Sequence, residues 1–231
     1  MWYKVKKIYQ WTNLVRPVWK PNANTIAYYP LDTDFNDYMG NYNMETKAWS
    51  PTITTLNWVK CCYFNGSSDI GNNNLHTNTI WANFTLSWWV NIPANNELTL
   101  FSCLTASLWW RSICYRTEWN VTLMRTSSSN TVTIKDNIAV ADGTWKHIVT
   151  VSDNWTIKLY HNWELKNTGT ATPWLNTNWL ARIWGNNYND WQWDRWFSKG
   201  YASRVIIENK VWTATEISDY YNYTKTDYWI V

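Results

Sequence analysis

The sequence predicts an all-β sandwich closed by one short helix, and three observations predict it. From Ile26 onward, short β-branched and aromatic runs alternate with clusters of Asn, Ser, Thr, Asp and Gly, the pattern of many strands joined by turns. Apolar residues at helical spacing are nearly absent. The chain has 231 residues, 45% hydrophobic and only 16% charged, which is enough apolar material to fold around one large core.

The expected strands are Ile26–Leu31, Val59–Phe64, Phe84–Asn91, Leu98–Cys103, Trp110–Arg116, Asn120–Arg125, Thr131–Lys135, Lys146–Val151, Ile157–His161 and Tyr201–Glu208. In Lys146–Val151 and Ile157–Tyr160 apolar and polar residues partly alternate, as they do where one face packs and the other meets water. Ser152-Asp153-Asn154-Trp155 and His161-Asn162-Trp163-Glu164 have the composition of hairpin turns except for the tryptophan, because such turns want glycine at positive φ. The one helix expected is Thr213–Asn222. A Thr213-x-x-Glu216 capping box opens it, and Ile217, Tyr220 and Tyr221 share a face. No internal repeat of solenoid or propeller length is present.

The net charge of +3 is unevenly placed. Residues 1–20 carry Lys4, Lys6, Lys7, Arg16 and Lys20 and no acid, which leaves a slightly acidic remainder. Residues 1–24 therefore read as a basic leader or attachment segment and residues 25–231 as the domain. So few basic residues, with no basic stripe elsewhere, argue against a nucleic-acid partner. No stretch approaches the roughly 20 apolar residues of a membrane span, and the first ten residues have no apolar core of a signal peptide. Cys61, Cys62, Cys103 and Cys114 show neither a CxxC pair nor histidines at zinc spacing. Cys103 and Cys114 flank a hairpin, which leaves a disulfide open beside the commoner buried thiols.

Residues 26–41, 84–90, 145–165 and 201–222, in that order, resemble the laminin G-like branch of the concanavalin A-like lectin/glucanase superfamily. Ile26-Ala-Tyr-Tyr-Pro-Leu-Asp32-Thr-Asp34-Phe-Asn-Asp37-Tyr-Met-Gly40-Asn41 is similar to its opening strand and Asp/Gly-Asn loop, and Phe84-Thr-Leu-Ser-Trp88-Trp89-Val90 to a core strand. Trp145-Lys-His147 through Lys158-Leu-Tyr160-His-Asn162-Trp163-Glu164-Leu resembles the strand pair that the family joins with a glycine turn. Tyr201 to Asn222 matches its last strand and closing helix. The resemblance implies a two-sheet antiparallel jelly-roll sandwich, and it leaves function open.

Tryptophan occurs 22 times and glycine 7 times, whereas average usage of about 7% glycine gives roughly 16. Tryptophan stands repeatedly where turn chemistry and the resemblance want glycine, most clearly at Trp49, Trp58, Trp155, Trp163, Trp174, Trp179, Trp184 and Trp191. A bulky side chain is disfavoured at positive φ. The preferred account is therefore a UGA codon meaning glycine in the source organism and translated as tryptophan, with Trp89 and Trp145 genuine buried residues. The alternative is a tryptophan-rich face that stacks on sugars.

Asp32, Asp34 and Asp37, followed by Gly40 and Asn41, put oxygen ligands in one loop, and the resemblance implies a calcium ion there. Turn formation by Asp and Asn side chains explains the same residues without a metal. No Glu-x-Asp-x-Glu array of the superfamily's glucanases is present, and Glu216 is explained by capping. His76 sits in an Asn-rich loop, while His147 and His161 sit on strands. None adjoins a nucleophile motif, so no catalytic residue is assigned. The segment from Gly185 to Trp196 holds the candidate ligand-binding residues Asn186, Asn187, Tyr188, Trp193, Asp194 and Arg195. Amides, a carboxylate, a guanidinium and aromatics together suit a hydroxyl-rich or peptide ligand; a long hydrophilic connection is the competing account.

These features and the resemblance lead to a non-enzymatic module that recognises a glycan or surface protein, outside the cell, on a cell surface or in a virion assembly to which the leader attaches it. A glycan-active enzyme with an unrecognised site and a structural decoration domain are the alternatives.

Overall fold

Short β-branched runs become strands here because each offers a face to bury, and the polar clusters between them become the turns. The computed structural model describes residues 19–48, 50–66, 69–76, 82–94, 96, 98–104, 111–118, 121–125, 134–136, 140–170, 180–183 and 199–230. The strands are β1 (Thr25–Tyr29), β2 (Glu45–Ala48), β3 (Thr52–Leu56), β4 (Val59–Asn65), β5 (Asp69–His76), β6 (Phe84–Asn91), β7 (Leu98–Leu104) and β8 (Arg111–Glu118). They continue with β9 (Val121–Arg125), β10 (Ile134–Asp136), β11 (Trp145–Asp153), β12 (Thr156–His161), β13 (Glu164–Thr170), β14 (Leu180–Ile183) and β15 (Lys199–Glu208). Helix α1 (Ala214–Thr224) and a 3-10 turn, Lys225–Tyr228, follow.

Two antiparallel sheets form. One runs β13-β12-β11-β6-β15-β4-β3, and the other β10-β9-β8-β7-β14-β5-β2. One edge of β15 is shared: Lys199–Ala202 pair with β4, and Val205–Glu208 pair with β1. Between these halves the register of β15 against β6 shifts from Ser203 to Ile206. Such a bulge bends a strand and re-aims its side chains.

The first sheet is a middle layer. Its inner face meets the second sheet through Phe84, Leu86, Trp88 and Val90 of β6, Ile148 of β11, Val205 and Ile207 of β15, and Ile70 and Leu75 of β5. Its outer face, with Trp89, Val149, Val151 and Ile206, is covered by Trp212, by Ile217, Tyr220 and Tyr221 of α1, and by Tyr228. Strand β6 is therefore buried at every position. At about 25 cal/mol per Å² and 150–250 Å² per ring, Trp88 and Trp89 each contribute roughly 4–6 kcal/mol of burial.

Thr213 caps α1 as its sequence predicts: its hydroxyl accepts from the Glu216 N–H, and the Glu216 side chain accepts from the Thr213 N–H. Lys210 also contacts the Glu216 carboxylate. Thr213→Ala is expected to cost about 1 kcal/mol, read as a melting-point fall of roughly 2–4 °C. An unchanged melting point would show that the layer packing alone holds the helix.

Several sequence expectations are corrected. His76 ends strand β5 rather than sitting in a loop, and β2, β3, β5, β13 and β14 were not foreseen. Strand β13 is ELKNTGT, half-buried to exposed throughout, so no apolar face announces it. Cys103 pairs with Ile113 and Cys114 with Ser102 across β7 and β8, so the two cysteines are not opposite one another. The domain's packing also reaches back into the expected leader. Trp19 packs beside Tyr28, Trp212 and Tyr220, and its indole N–H donates to the Glu208 carboxylate at 3.1 Å.

Candidate functional site

The loop after β1 is organised by one carboxylate. Asp37 is 4% exposed, and its two oxygens accept from four backbone N–H groups, those of Tyr28, Met39, Asn41 and Tyr42, at 2.9–3.1 Å. Asp34 accepts from the backbone N–H and side-chain amide of Asn36, and Asp32 from the Thr33 hydroxyl. Among the described residues no three His, Cys, Asp or Glu side chains gather where a metal could sit. Both Asp37 oxygens are committed to backbone donors that hold the loop. Turn formation accounts for all three.

Asp32 also lines a cleft of about 230 Å³ with Tyr28, Pro30, Trp58, Val59, Lys60, Ser203, Arg204, Asp227 and Tyr228. Besides Trp58, two residues at the cleft have positive φ without being glycine: Leu31 at 56° and Arg204 at 52°. They are tied together, since the Arg204 N–H donates to the Pro30 carbonyl at 3.1 Å. Arg204 occupies the bulge of β15, its guanidinium donates to Asp227 at 2.9 Å, and it lies over the Tyr228 ring, 5.6 Å from the centroid. Non-glycine residues held at positive φ concentrate at ligand clamps and switch regions. Burial, together with the nearby Asp32 and Tyr38, outweighs Arg204 and raises the Tyr28 hydroxyl above the usual phenol range, so it enters the cleft as a neutral donor. The cleft therefore presents the Arg204–Asp227 ion pair, the Lys60 ammonium, the Asp32 carboxylate and a phenol to one small volume. A second, more open depression of about 330 Å³ shares Tyr228 with the first and is lined by Asn57, Asn91, Thr144, Lys146, Asn162 and Trp229 among others.

A serine–histidine pair also exists, 2.9 Å apart between Ser87 Oγ and His147 Nε2. Both residues have zero exposure, so no substrate reaches the hydroxyl. Burial, with the neighbouring His161, pushes the His147 pKa down to about 3, too weak a base for nucleophile activation near neutral pH. The pair fills the layer between β6, β11 and α1.

Asn186, Asn187, Tyr188, Trp193, Asp194 and Arg195 lie outside the described residues, as do Trp49, Trp174, Trp179, Trp184 and Trp191. Trp89 and Trp145 are buried, at 0% and 6% exposure, as expected of genuine core residues. Arg204 was missed by sequence reasoning. Its signal was a lone cation within the apolar run of β15, Tyr-Ala-Ser-Arg-Val-Ile-Ile.

No described helix is long and apolar enough to cross a membrane. No curated protein sequence matches the chain. Among solved structures it is similar to domain 4 of AbnA, a GH43 extracellular arabinanase from Geobacillus stearothermophilus solved in complex with arabinotriose. That likeness has 21% identity and a TM-score of 0.69, over 85% of this chain and 98% of that one. It is also similar to the botulinum neurotoxin serotype D ligand-binding domain in complex with N-acetylneuraminic acid, with 15% identity and a TM-score of 0.62, over 86% of this chain and 50% of that one. The type G receptor-binding domain gives 18%, 0.62, 87% and 52% for the same quantities. This chain spans about half the length of those two toxin domains. A family profile matches residues 64–218, more than half of the sequence, and agrees with the two stacked antiparallel sheets: the chain belongs to the concanavalin A-like lectin/glucanases superfamily.

Proposed function

We propose that the chain is a non-enzymatic recognition module for a carbohydrate ligand at a cell or virion surface, and that the cleft around Arg204 receives one sugar unit. The observation that carries the reading is the cleft's mixed set of donors and acceptors, with Arg204 and Asp227 held by their ion pair. Asp32 and Asp227 accept from hydroxyls, Lys60 and Arg204 donate to them, and the strained bulge holds Arg204 in place before ligand arrives. Preorganised polar groups of both kinds are what a hydroxyl-rich ring needs to replace its water. Support also comes from the arabinanase domain, solved with arabinotriose, and from the toxin domain, solved with a sialic acid.

A glycan array and cell-wall pull-downs test this, with arabinan and sialylated oligosaccharides included. Arg204→Ala is expected to weaken binding about 10- to 100-fold, the worth of a charged hydrogen bond, and Lys60→Ala to weaken it less. An array without binding, or binding indifferent to both variants, sinks the proposal. Asp194→Ala with Arg195→Ala forms a second arm for the segment holding Asn186, Asn187, Tyr188 and Trp193. Because Asp32 and Asp227 share the cleft, the enzyme reading keeps one test. Reducing-sugar release that disappears in Asp227→Asn would replace binding by hydrolysis.

A further inference from the structure

We infer that positions 58, 155, 163 and 229 carry glycine in the protein its own cell makes, and that tryptophan stands there through the reading of one codon. The backbone is the argument. Trp58, Trp155, Trp163 and Trp229 have φ of 69°, 67°, 75° and 61°, a region in which Cβ crowds the following carbonyl. The first three occupy the same place in three hairpins. The β3–β4, β11–β12 and β12–β13 connections each have two residues between a closing strand pair: Leu56 with Val59, Asp153 with Thr156, and His161 with Glu164. In each the first residue is asparagine, at φ 50°, 45° and 49°. Positive φ at both central residues defines the mirror-image turn that matches strand twist, and its preferred dipeptide is Asn-Gly. The chain writes Asn-Trp three times. Trp229 ends the 3-10 turn Lys225–Tyr228 in the left-handed conformation, another position that glycine favours.

Burial compensates only in part: Trp155 is half-buried and Trp163 packs on Tyr221 with ring centroids 4.5 Å apart. Trp58, Trp163 and Trp229 are 84%, 41% and 52% exposed. Trp88, Trp89, Trp145 and Trp212 are the opposite, at most 6% exposed and absent from the positive-φ set. The indole N–H groups of Trp89 and Trp212 are spent on Thr224 and Glu208. The sign of φ and the burial of the ring thus divide seven of the nine described tryptophans in the same way; Trp19 and Trp155 are both half-buried, and of these only Trp155 has a positive φ. Genuine glycines fill equivalent left-handed positions at Gly40, Gly66 and Gly143. A codon that means tryptophan in one genetic code and glycine in another, UGA, produces this division, and it accounts for 22 tryptophans beside 7 glycines.

The consequence for recognition is direct. With glycine at 58 the lip of the Arg204 cleft loses its exposed indole, and selectivity rests on Tyr28, Asp32, Lys60, Arg204 and Asp227 rather than on stacking. The test has two readouts, neither of which depends on ligand binding. In the gene, UGA is expected at 58, 155, 163 and 229 and UGG at 88, 89, 145 and 212; UGG at the turn positions overturns the inference. In recombinant protein, Trp58→Gly, Trp155→Gly, Trp163→Gly and Trp229→Gly are each expected to raise the melting temperature, by roughly 2–4 °C where strain is relieved, while Trp89→Gly lowers it. A fall on all four turn substitutions overturns it equally.

Discussion

Replacing Trp89 with alanine is expected to cost about 3–5 kcal/mol, the range for a buried large aromatic, and to release the C-terminal layer from the sheet. Trp89 has no exposed surface. Its ring stacks on Tyr228 with centroids 3.9 Å apart at 11°, and on His147 and Tyr221 at 5.1 and 5.7 Å. Its indole N–H donates to the Thr224 hydroxyl at 3.1 Å, and that hydroxyl donates back to the Tyr220 carbonyl at 2.8 Å. One side chain therefore joins the middle of the sheet to the last turn of α1 and to the 3-10 turn that follows it. Against a total stability of 5–15 kcal/mol, the loss is a large fraction. Trp88, one residue earlier and equally buried, points into the core between the sheets. Trp88→Ala is expected to cost a similar amount while leaving residues 211–230 protected from protease in the native state, whereas Trp89→Ala exposes them. Equal protection of that segment in both variants would refute the separation into two cores.

That separation also explains what was legible in the sequence. Strand β6 was visible because Phe-Thr-Leu-Ser-Trp-Trp-Val is dense in β-forming residues, and the helix because Thr213 and Glu216 stand at capping-box spacing. Strands β11 and β12 were visible through their partial alternation. Strand β5, Asp-Ile-Gly-Asn-Asn-Asn-Leu-His, was hidden by its three asparagines, although Ile70 and Leu75 are fully buried. Strand β13 was hidden by its position at the sheet edge, where neither face must be apolar.

The candidate site was less legible still. Asp32 was singled out for a metal because three aspartates crowd one loop, but spacing does not reveal that Asp37 spends both oxygens on four amides. Arg204 joins Asp32 only through a bulge that places a strand residue, a loop residue and the 3-10 turn around one cleft. Lone charges in strands are common, so the sequence held the residue without its meaning. The turn tryptophans were legible as an anomaly, and their φ values turn that anomaly into a conformational statement.

Acid is expected to destabilise this domain already above the range in which carboxylates titrate. His147 and His161 are 0% and 3% exposed. Burial pushes both pKa values down to about 3, helped at His147 by His161 and at His161 by Lys166 and Lys146. In the unfolded chain an imidazole titrates near 6.5. Above that pH both states are neutral and stability is flat. Between pH 6.5 and about 3 the unfolded chain binds protons that the folded chain refuses, so stability falls as pH falls. At pH 5 each imidazole removes about 2 kcal/mol. The carboxylates whose pKa is lowered, Asp142 and Glu216, lose their contribution only as pH drops below the unfolded carboxylate range near 4. The window from 5 to 6.5 therefore reports the two buried imidazoles. Urea unfolding across that window is expected to lose up to about 2.7 kcal/mol per pH unit, halved in a variant that lacks one of the two titrations. A native-state NMR titration is expected to show the His147 ring still neutral at pH 5; a midpoint near 6.5 would mean that the layer between β6, β11 and α1 admits water and that its packing is looser than these contacts require.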